Sequence, residues 1–266
     1  MFFSVKESKL KLQNMELDYI SFGSGSKPLI MIQGLNTNGI AGAGMTLAYL
    51  YRIFAKTYTV YLFDRRPEVF DGITVEDMAG DVAEAMDALG LGNAHVIGVS
   101  QGGMIAQYLA IQRPDLVEKL VLAVTLSRMN DAVTSVIENW IDWMKQGKIR
   151  EMVTDMAEKM YSADYVRRYR LFLPLLAILQ KPKDPDRFVI LARSCLTCDA
   201  YDQLHKIRCP VFVIGGRQDQ VVGAEASEEI AEKLNCPIYL YDRLGHAAYE
   251  EAADFNQRIY DFLTSQ

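Results

Sequence analysis

The sequence predicts an α/β fold in which helices flank a mostly parallel central sheet. Short β-branched or apolar runs alternate with amphipathic stretches of helical period in the first half of the chain, which is typical of strand–helix–strand units. Several runs are almost entirely apolar, as strands buried on both faces should be. The 266 residues, 50% of them hydrophobic, suffice for one large α/β domain or two small ones.

The individual elements follow from these runs and from turn and capping residues. Strands are predicted at residues 15–22, 29–32, 59–63, 95–99, 120–123, 211–214 and 238–241. A helix is predicted over residues 74–89, because Thr74 and Asp77 can form a capping box at its start. Gly90 then ends the periodic run. A second helix, residues 101–112, is predicted to stop ahead of a nearby proline.

The strand–helix alternation breaks after residue 123 and resumes at Val211. The pattern between them predicts a helix with Ile137, Trp140, Ile141 and Met144 on one face, helical runs at 152–161 and 165–179, and a loop at 181–187. We interpret residues 128–200 as a helical cap inserted into an α/β core made of residues 1–127 and 201–266.

Charge and hydropathy exclude some classes of partner. The formal net charge is −6 and no long basic run is present, so nucleic acid is not an expected partner. Lys6, Glu7 and Lys9 come too early for the apolar region of a signal peptide, and no later stretch offers about 18 uncharged apolar residues. We expect a cytoplasmic protein without membrane contact, acting on a small-molecule substrate as a monomer or homodimer.

The four cysteines are expected to be free thiols, because the chain is large enough to fold on its hydrophobic core. Cys195 and Cys198 form a C-x-x-C, which could be a redox pair or half of a zinc site. No second C-x-x-C and no neighbouring histidine accompany it. The interpretation favoured here is two buried positions on one helix, and no metal is expected.

A G-x-S-x-G-G pattern at Ser100 carries the strongest functional signal. It joins a predicted buried strand directly to a predicted helix, and Gly98 and Gly102 leave room for a sharp turn. Such a turn exposes the serine hydroxyl and places the Gln101 N–H at a helix N-terminus, where it can donate to an oxyanion. A serine in an ordinary glycine turn is the alternative, but the flanking strand and helix favour a nucleophile.

A serine nucleophile needs a general base, and the chain has three histidines. His95 opens the strand that leads to Ser100, far from the turn. His205 precedes a strand and is therefore at the wrong edge of the sheet. His246 follows the last predicted strand, at the correct edge, and is predicted to be the base rather than a solvated loop residue.

Two further groups are predicted from their positions after strands. Asp219 follows an apolar run and a glycine turn, and lies between serine and histidine in chain order, as the acid that orients the base should. A turn or helix-capping role is the alternative for Asp219. The Leu35 N–H, in the glycine-containing loop after residues 29–32, is predicted to be the second oxyanion donor; a plain glycine turn is the alternative.

These features resemble the α/β-hydrolase superfamily over nearly the whole chain. The segment Gly98–Gln107 and the Arg-Pro-Asp stretch that follows it look like the lid-bearing branch, which includes 3-oxoadipate enol-lactonases, small carboxylesterases and C–C bond hydrolases. The resemblance implies the α/β-hydrolase fold, a cofactor-free enzyme and functional roles for Ser100, Asp219, His246, Leu35 and Gln101.

Two positions depart from those relatives. This chain has Gln33-Gly34 where relatives commonly carry His-Gly, and Asp64-Arg-Arg-Pro67 where they often show an Arg-Gly turn.

The reaction expected from these residues is cleavage of an ester-like bond of a small, apolar or aromatic acyl substrate through an acyl-enzyme. The predicted lining of the substrate pocket comes from the cap: Trp140, Trp143, Met144, Met156, Met160, Tyr161 and Phe172. Lactone opening, C–C bond cleavage and perhydrolysis are alternatives with the same three residues. A slow-turnover ligand-binding sensor is the alternative from another class of protein.

Overall fold

The computed structural model describes residues 4–36, 38–169, 172 and 182–265. Its strands are β1 (Lys6–Lys11), β2 (Glu16–Gly23), β3 (Lys27–Ile32), β4 (Tyr58–Phe63), β5 (Ala94–Val99), β6 (Val117–Ala123), β7 (Val211–Gly216) and β8 (Ile238–Tyr241). They form one eight-stranded sheet in the order β1-β2-β4-β3-β5-β6-β7-β8. β2 pairs antiparallel with β1 and β4, and all other pairs are parallel.

Helices cover both faces of this sheet. They are α1 (Gly44–Leu50), α2 (Val75–Leu89), α3 (Gln101–Gln112), α4 (Asp131–Lys145), α5 (Ile149–Met160), α6 (Ala163–Tyr169), α7 (Pro185–Cys195), α8 (Ala224–Leu234), α9 (Ala248–Glu251) and α10 (Phe255–Thr264), with a 3₁₀ turn at Tyr201–Lys206. One hydrophobic cluster includes α2, α3, α4, α5 and α7, and a second includes α10. No helix in the described part of the chain is long and apolar enough to cross a bilayer.

The predicted α/β class is confirmed, and a strand is present at each predicted position. β1 was not predicted, because it is a charge-rich edge strand that pairs with β2 alone and buries none of its side chains fully. Such a strand shows little of the apolar signal by which buried strands are recognised.

The predicted helix boundaries in the core agree with the structure. Thr74 and Asp77 form the capping box of α2, and Gly90 ends the helix with φ 66°. This left-handed conformation is readily available to glycine. α3 begins directly after Ser100 and ends at Gln112.

The segment predicted as a cap, residues 128–200, contributes α4 to α7 between β6 and β7. The predicted apolar face of α4 is buried, with Ile137, Trp140, Ile141 and Met144 each at most 5% exposed. The predicted loop at 181–187 is wrong at its end, because α7 starts at Pro185 with the Asp184 side chain capping it. Proline is favourable at a first helical position, where its missing N–H has no helical partner.

Two other predictions are confirmed only in part by the described residues. The predicted helical run 165–179 is helical up to Tyr169, and most of the remainder lies outside the described residues. Cys195 and Cys198 are both buried free thiols, but they do not share a helix. Cys195 is the last residue of α7, and Cys198 lies beyond its end.

Candidate active site

Ser100 occupies the sharp turn between β5 and α3. Its backbone lies at φ 54° and ψ −122°, a strained conformation for a residue with a side chain. A methyl group added to Gly102 would come within 1.9 Å of the Ile32 carbonyl oxygen, and one added to Gly98 within 2.5 Å of the Gly102 carbonyl oxygen. The two glycines are therefore required for the tight packing of this turn.

The side chains of Ser100, His246 and Asp219 form a continuous chain of hydrogen bonds. His246 Nε2 lies 3.0 Å from Ser100 Oγ, and His246 Nδ1 lies 2.8 Å from Asp219 Oδ2. The second carboxylate oxygen of Asp219 accepts the N–H groups of Val221 and Val222 at 2.8 and 3.0 Å. His246 and Asp219 are buried, so the carboxylate is fixed in a site from which water is largely excluded.

This arrangement arises because parallel strands end at the same edge of the sheet. Ser100 follows β5, Asp219 follows β7 and His246 follows β8. Asp219 can hold the imidazole in one tautomer, with its proton on Nδ1, which leaves Nε2 free to accept the Ser100 proton. The three groups can therefore generate a nucleophilic serine oxygen.

The other two histidines lie elsewhere. His95 is buried at the opposite end of β5, with its Nδ1 3.1 Å from the Tyr58 hydroxyl. Burial lowers the pKa of His95 and so favours the neutral imidazole. His205 is exposed on the 3₁₀ turn, and its Nδ1 lies 2.8 Å from the Asp202 carbonyl oxygen.

The predicted oxyanion donors lie on the two segments that flank Ser100. Gln101 is the first residue of α3, and Leu35 lies in the loop after β3 and borders the same cavity as Ser100. A methyl group added to Gly34 would lie 3.2 Å from Ser100 Cβ, so the loop passes directly beside the serine. Helix-terminal and loop N–H groups at such a place can stabilise negative charge on a reacting carbonyl oxygen.

A buried arginine connects these two segments, and it was not predicted from the sequence. Arg65 Nη2 donates to the Gln33 carbonyl oxygen at 2.5 Å, and Arg65 Nε donates to Gln101 Oε1 at 3.3 Å. The side-chain nitrogen of Gln101, Nε2, donates in turn to the Leu191 carbonyl oxygen of α7 at 2.7 Å. The departure of residues 64–67 from the Arg-Gly turn of relatives was the sequence signal that pointed to this place.

A cavity of about 590 Å³ lies between Ser100 and the helices of the cap segment. Of the predicted lining residues, Trp140, Met156, Met160, Tyr161 and Phe172 border it. Trp143 and Met144 are absent from the described lining, because α4 borders the cavity through its earlier turns, up to Trp140. Met144 is buried in the hydrophobic core one turn further along α4.

Several lining residues were missed, and the most informative are Tyr165 and Tyr169 on α6, which follow the predicted Tyr161. Tyr161, Tyr165 and Tyr169 are spaced by four residues, and successive ring centroids lie 4.4 Å apart. The Tyr161 hydroxyl donates to the Glu250 carboxylate at 2.6 Å. Burial, together with the Glu250 charge, raises the pKa of Tyr161, so this hydroxyl stays protonated. The four-residue spacing of aromatic residues was the available sequence signal.

Comparison with known proteins identifies the family of this fold. A family model described as the alpha/beta hydrolase fold matches residues 27–253. The putative carbamate hydrolase RutD of Caulobacter sp. (strain K31) is 28% identical over 238 residues, covering 86% of this chain and 89% of the relative. The 2-hydroxy-6-oxononadienedioate/2-hydroxy-6-oxononatrienedioate hydrolase 1 of Dechloromonas aromatica (strain RCB) is 28% identical over 280 residues, covering 99% and 94%.

A solved structure shares the fold over almost the full length. The enol-lactonase from Burkholderia xenovorans LB400 superposes with a TM-score of 0.84 at 22% identity, covering 97% of this chain and 100% of the enol-lactonase chain. At that identity the likeness establishes the architecture of the sheet and helices. Since the family model spans most of the sequence, the chain belongs to the α/β-hydrolase fold family and is of the hydrolase class.

Proposed function

We propose that this protein is a serine hydrolase that cleaves an ester-like bond of a small apolar or aromatic acyl substrate. The observation that carries the proposal is the hydrogen-bonded chain from Ser100 through His246 to Asp219. Its distances are those that proton transfer from a serine hydroxyl to an imidazole requires.

The reaction proceeds in two steps. His246 Nε2 takes the proton of Ser100 while Ser100 Oγ bonds to the carbonyl carbon of the substrate. The Leu35 and Gln101 N–H groups hold the resulting oxyanion, and the leaving alcohol departs with the proton from His246. Water then attacks the acyl-enzyme while His246 takes its proton. The bond between Ser100 Oγ and the acyl carbon breaks, His246 returns the proton to Ser100 Oγ, and the carboxylic acid product is released.

The cavity supports an apolar or aromatic acyl group. Its wall includes Val133, Ile137, Trp140, Met156 and Met160, which offer hydrophobic surface; among these five side chains only the Trp140 indole has a hydrogen-bonding group. That indole N–H donates to Asp155 at 2.8 Å and is therefore satisfied within the protein. A substrate gains affinity here chiefly through burial of its own apolar surface.

Cleavage of a C–C bond is the second candidate reaction. It is favoured by the relative from Dechloromonas aromatica, named as a hydrolase of 2-hydroxy-6-oxononadienedioate, which covers 99% of this chain. Relative kcat/KM values on aryl esters, lactones and vinylogous diketo acids distinguish the two reactions. Highest kcat/KM on the esters is expected, and highest kcat/KM on the diketo acids would favour the second candidate.

The direct test of the proposal is covalent labelling by a fluorophosphonate, followed by intact-mass measurement. Wild-type protein is expected to gain one adduct, Ser100→Ala none, and Ser135→Ala, a matched change at an exposed serine of α4, one as in the wild type. On an aryl ester, kcat of Ser100→Ala should fall by roughly 10⁴-fold or more. An unlabelled, folded wild-type protein would contradict the proposal and favour a ligand-binding sensor.

A further inference from the structure

Arg65 is a charged side chain in an unusual place. It lies two residues after β4 and is only 6% exposed. Loss of contact with water is the main cause that lowers its pKa, to about 10, and the guanidinium still carries its charge at neutral pH. Its side-chain hydrogen bonds go to two neutral amide oxygens, those of the Gln33 carbonyl and the Gln101 side chain.

Both acceptors belong to the segments that carry the predicted oxyanion donors. Gln33 precedes Leu35 by two residues, and Gln101 is itself the second donor residue. The two segments touch, since a methyl group added to Gly102 would lie 2.5 Å from the Gln33 carbonyl oxygen. Arg65 thus bridges the loop and the start of α3 beside their point of contact.

The neighbouring Asp64 holds the other end of the same loop. Its Oδ2 accepts the Ile40 N–H at 3.0 Å, and its Oδ1 accepts the backbone N–H of Arg65 at 2.7 Å. Two consecutive residues after β4 therefore bind the loop at Gln33 and at Ile40. The Leu35 N–H lies between these two attachment points.

We propose that Arg65 is a positioning residue for oxyanion stabilisation, and that its guanidinium fixes the Gln33 and Gln101 segments so that the Leu35 and Gln101 N–H groups converge on the reacting carbonyl oxygen. Arg65 has this role only if the hydrolysis proposed above takes place. Donors of this kind stabilise a transition state because they are held in place before the charge develops. If these N–H groups are displaced by a fraction of an ångström, kcat falls strongly, whereas the affinity for the substrate changes much less.

The test compares Arg65→Met with Arg65→Lys and with Arg66→Met as the matched control. Arg66 is the adjacent residue and pairs with Asp81 on α2, away from the loop. Each variant is assayed for kcat and KM on an aryl ester, and thermal unfolding reports whether it is folded. For Arg65→Met we expect kcat to fall about 10- to 100-fold with KM changed by less than about threefold.

Arg65→Lys should recover part of this loss, because an ammonium keeps the charge but cannot donate in a fork to both acceptors. Arg66→Met should keep the wild-type kcat. Wild-type kcat in Arg65→Met, or an equal loss in Arg66→Met, would overturn the role of Arg65 while leaving the hydrolase proposal intact. If Arg65→Met does not fold, Arg65→Lys decides, since wild-type kcat there would also overturn the role. Failure of the wild-type protein to label at Ser100 would overturn both proposals.

Discussion

The Glu251 carboxylate of α9 binds Ser162, the second of the two residues that link α5 to α6. It accepts the Ser162 backbone N–H at 2.9 Å and the Ser162 hydroxyl at 2.5 Å. Nearby, the Ala247 N–H donates to the Met160 carbonyl oxygen at 2.7 Å. The loop that carries His246 is therefore attached directly to the helices that form one wall of the cavity.

Replacement of Glu251 by Ala should loosen this attachment. Two hydrogen bonds to a charged, partly buried group are lost, so the free energy of unfolding should fall by about 1–3 kcal/mol. KM for an aryl ester should rise several-fold, since the cavity wall formed by α5 and α6 would be less firmly attached to the loop that carries His246. Urea unfolding and steady-state kinetics check both. Glu228→Ala, which breaks a half-exposed pair with Arg217, is the control and should change stability by less than about 0.5 kcal/mol.

Asp219→Asn tests the orientation of His246. The amide can still accept from Val221 and Val222, but its NH₂ group cannot accept the proton of His246 Nδ1, so the imidazole adopts the wrong tautomer. On an aryl ester, kcat should fall by roughly 10³- to 10⁴-fold without loss of the fold. Kinetics together with circular dichroism measure this. A variant with wild-type kcat would show that Asp219 has only a turn or capping role.

The stability of the protein should fall as pH decreases from about 7.5 to 5.5, in part through His95. Burial lowers the pKa of His95 in the folded state. In the unfolded chain the histidine pKa is about 6.5, so below this pH the unfolded chain binds a proton that the folded protein binds less readily. Protonation therefore favours the unfolded chain, and the free energy of unfolding decreases as pH falls through about 6.5. Urea unfolding at both pH values should show a smaller decrease for His95→Asn than for the wild type.

The exposed His205 is the matched control for this effect. His205→Asn should retain the full wild-type dependence of unfolding free energy on pH. An unchanged dependence in His95→Asn would contradict the assignment to His95.

Tyr165 should influence which acyl groups are accepted. Its ring is sandwiched between Tyr161 and Tyr169 and borders the cavity. Tyr165→Ala removes this stacking surface, so kcat/KM should fall about three- to tenfold for a phenyl-substituted acyl ester and less for an acetyl ester. The ratio of the two values is the measurement. Tyr49→Ala, at a tyrosine that is 66% exposed on α1, should leave the ratio unchanged.

Two glycine-to-alanine changes should have opposite effects. In Gly102→Ala the methyl group would lie 1.9 Å from the Ile32 carbonyl oxygen, so the turn at Ser100 must distort and the protein should be destabilised by more than about 3 kcal/mol. Gly80 lies on an exposed face of α2, and apart from its own helix backbone and chain neighbours no atom lies within 4 Å of an added methyl group. Gly80→Ala should stabilise by about 0.5–1 kcal/mol. Thermal unfolding of both variants checks the prediction.

Much of the fold and of the candidate site was predictable because it depends on short stretches of chain. The capping box of Thr74 and Asp77 lies within four residues, and the strained turn at Ser100 follows from the glycines around it. His246 and Asp219 were predictable because each follows an apolar strand, and parallel strands bring their ends to one edge. Neither inference needs knowledge of how distant side chains pack.

The contacts that were missed join residues far apart in the chain. β1 was missed because an exposed edge strand carries no buried face. Arg65 was not recognised because a surface arginine and a buried one look alike in sequence, and its acceptors lie 32 and 36 residues away.

The sequence by itself determined the α/β class, the order of the strands along the chain and the position of Ser100, Asp219 and His246 after three of them. Hydrophobic periodicity and turn chemistry are local properties, so the residues themselves carry this information. The tertiary structure alone decided that Trp140 borders the cavity while Met144 does not, and that Arg65 is buried beside the Gln33 loop. These outcomes depend on how helices and loops pack across the sheet, and side-chain burial at such contacts is set by atoms from distant parts of the chain.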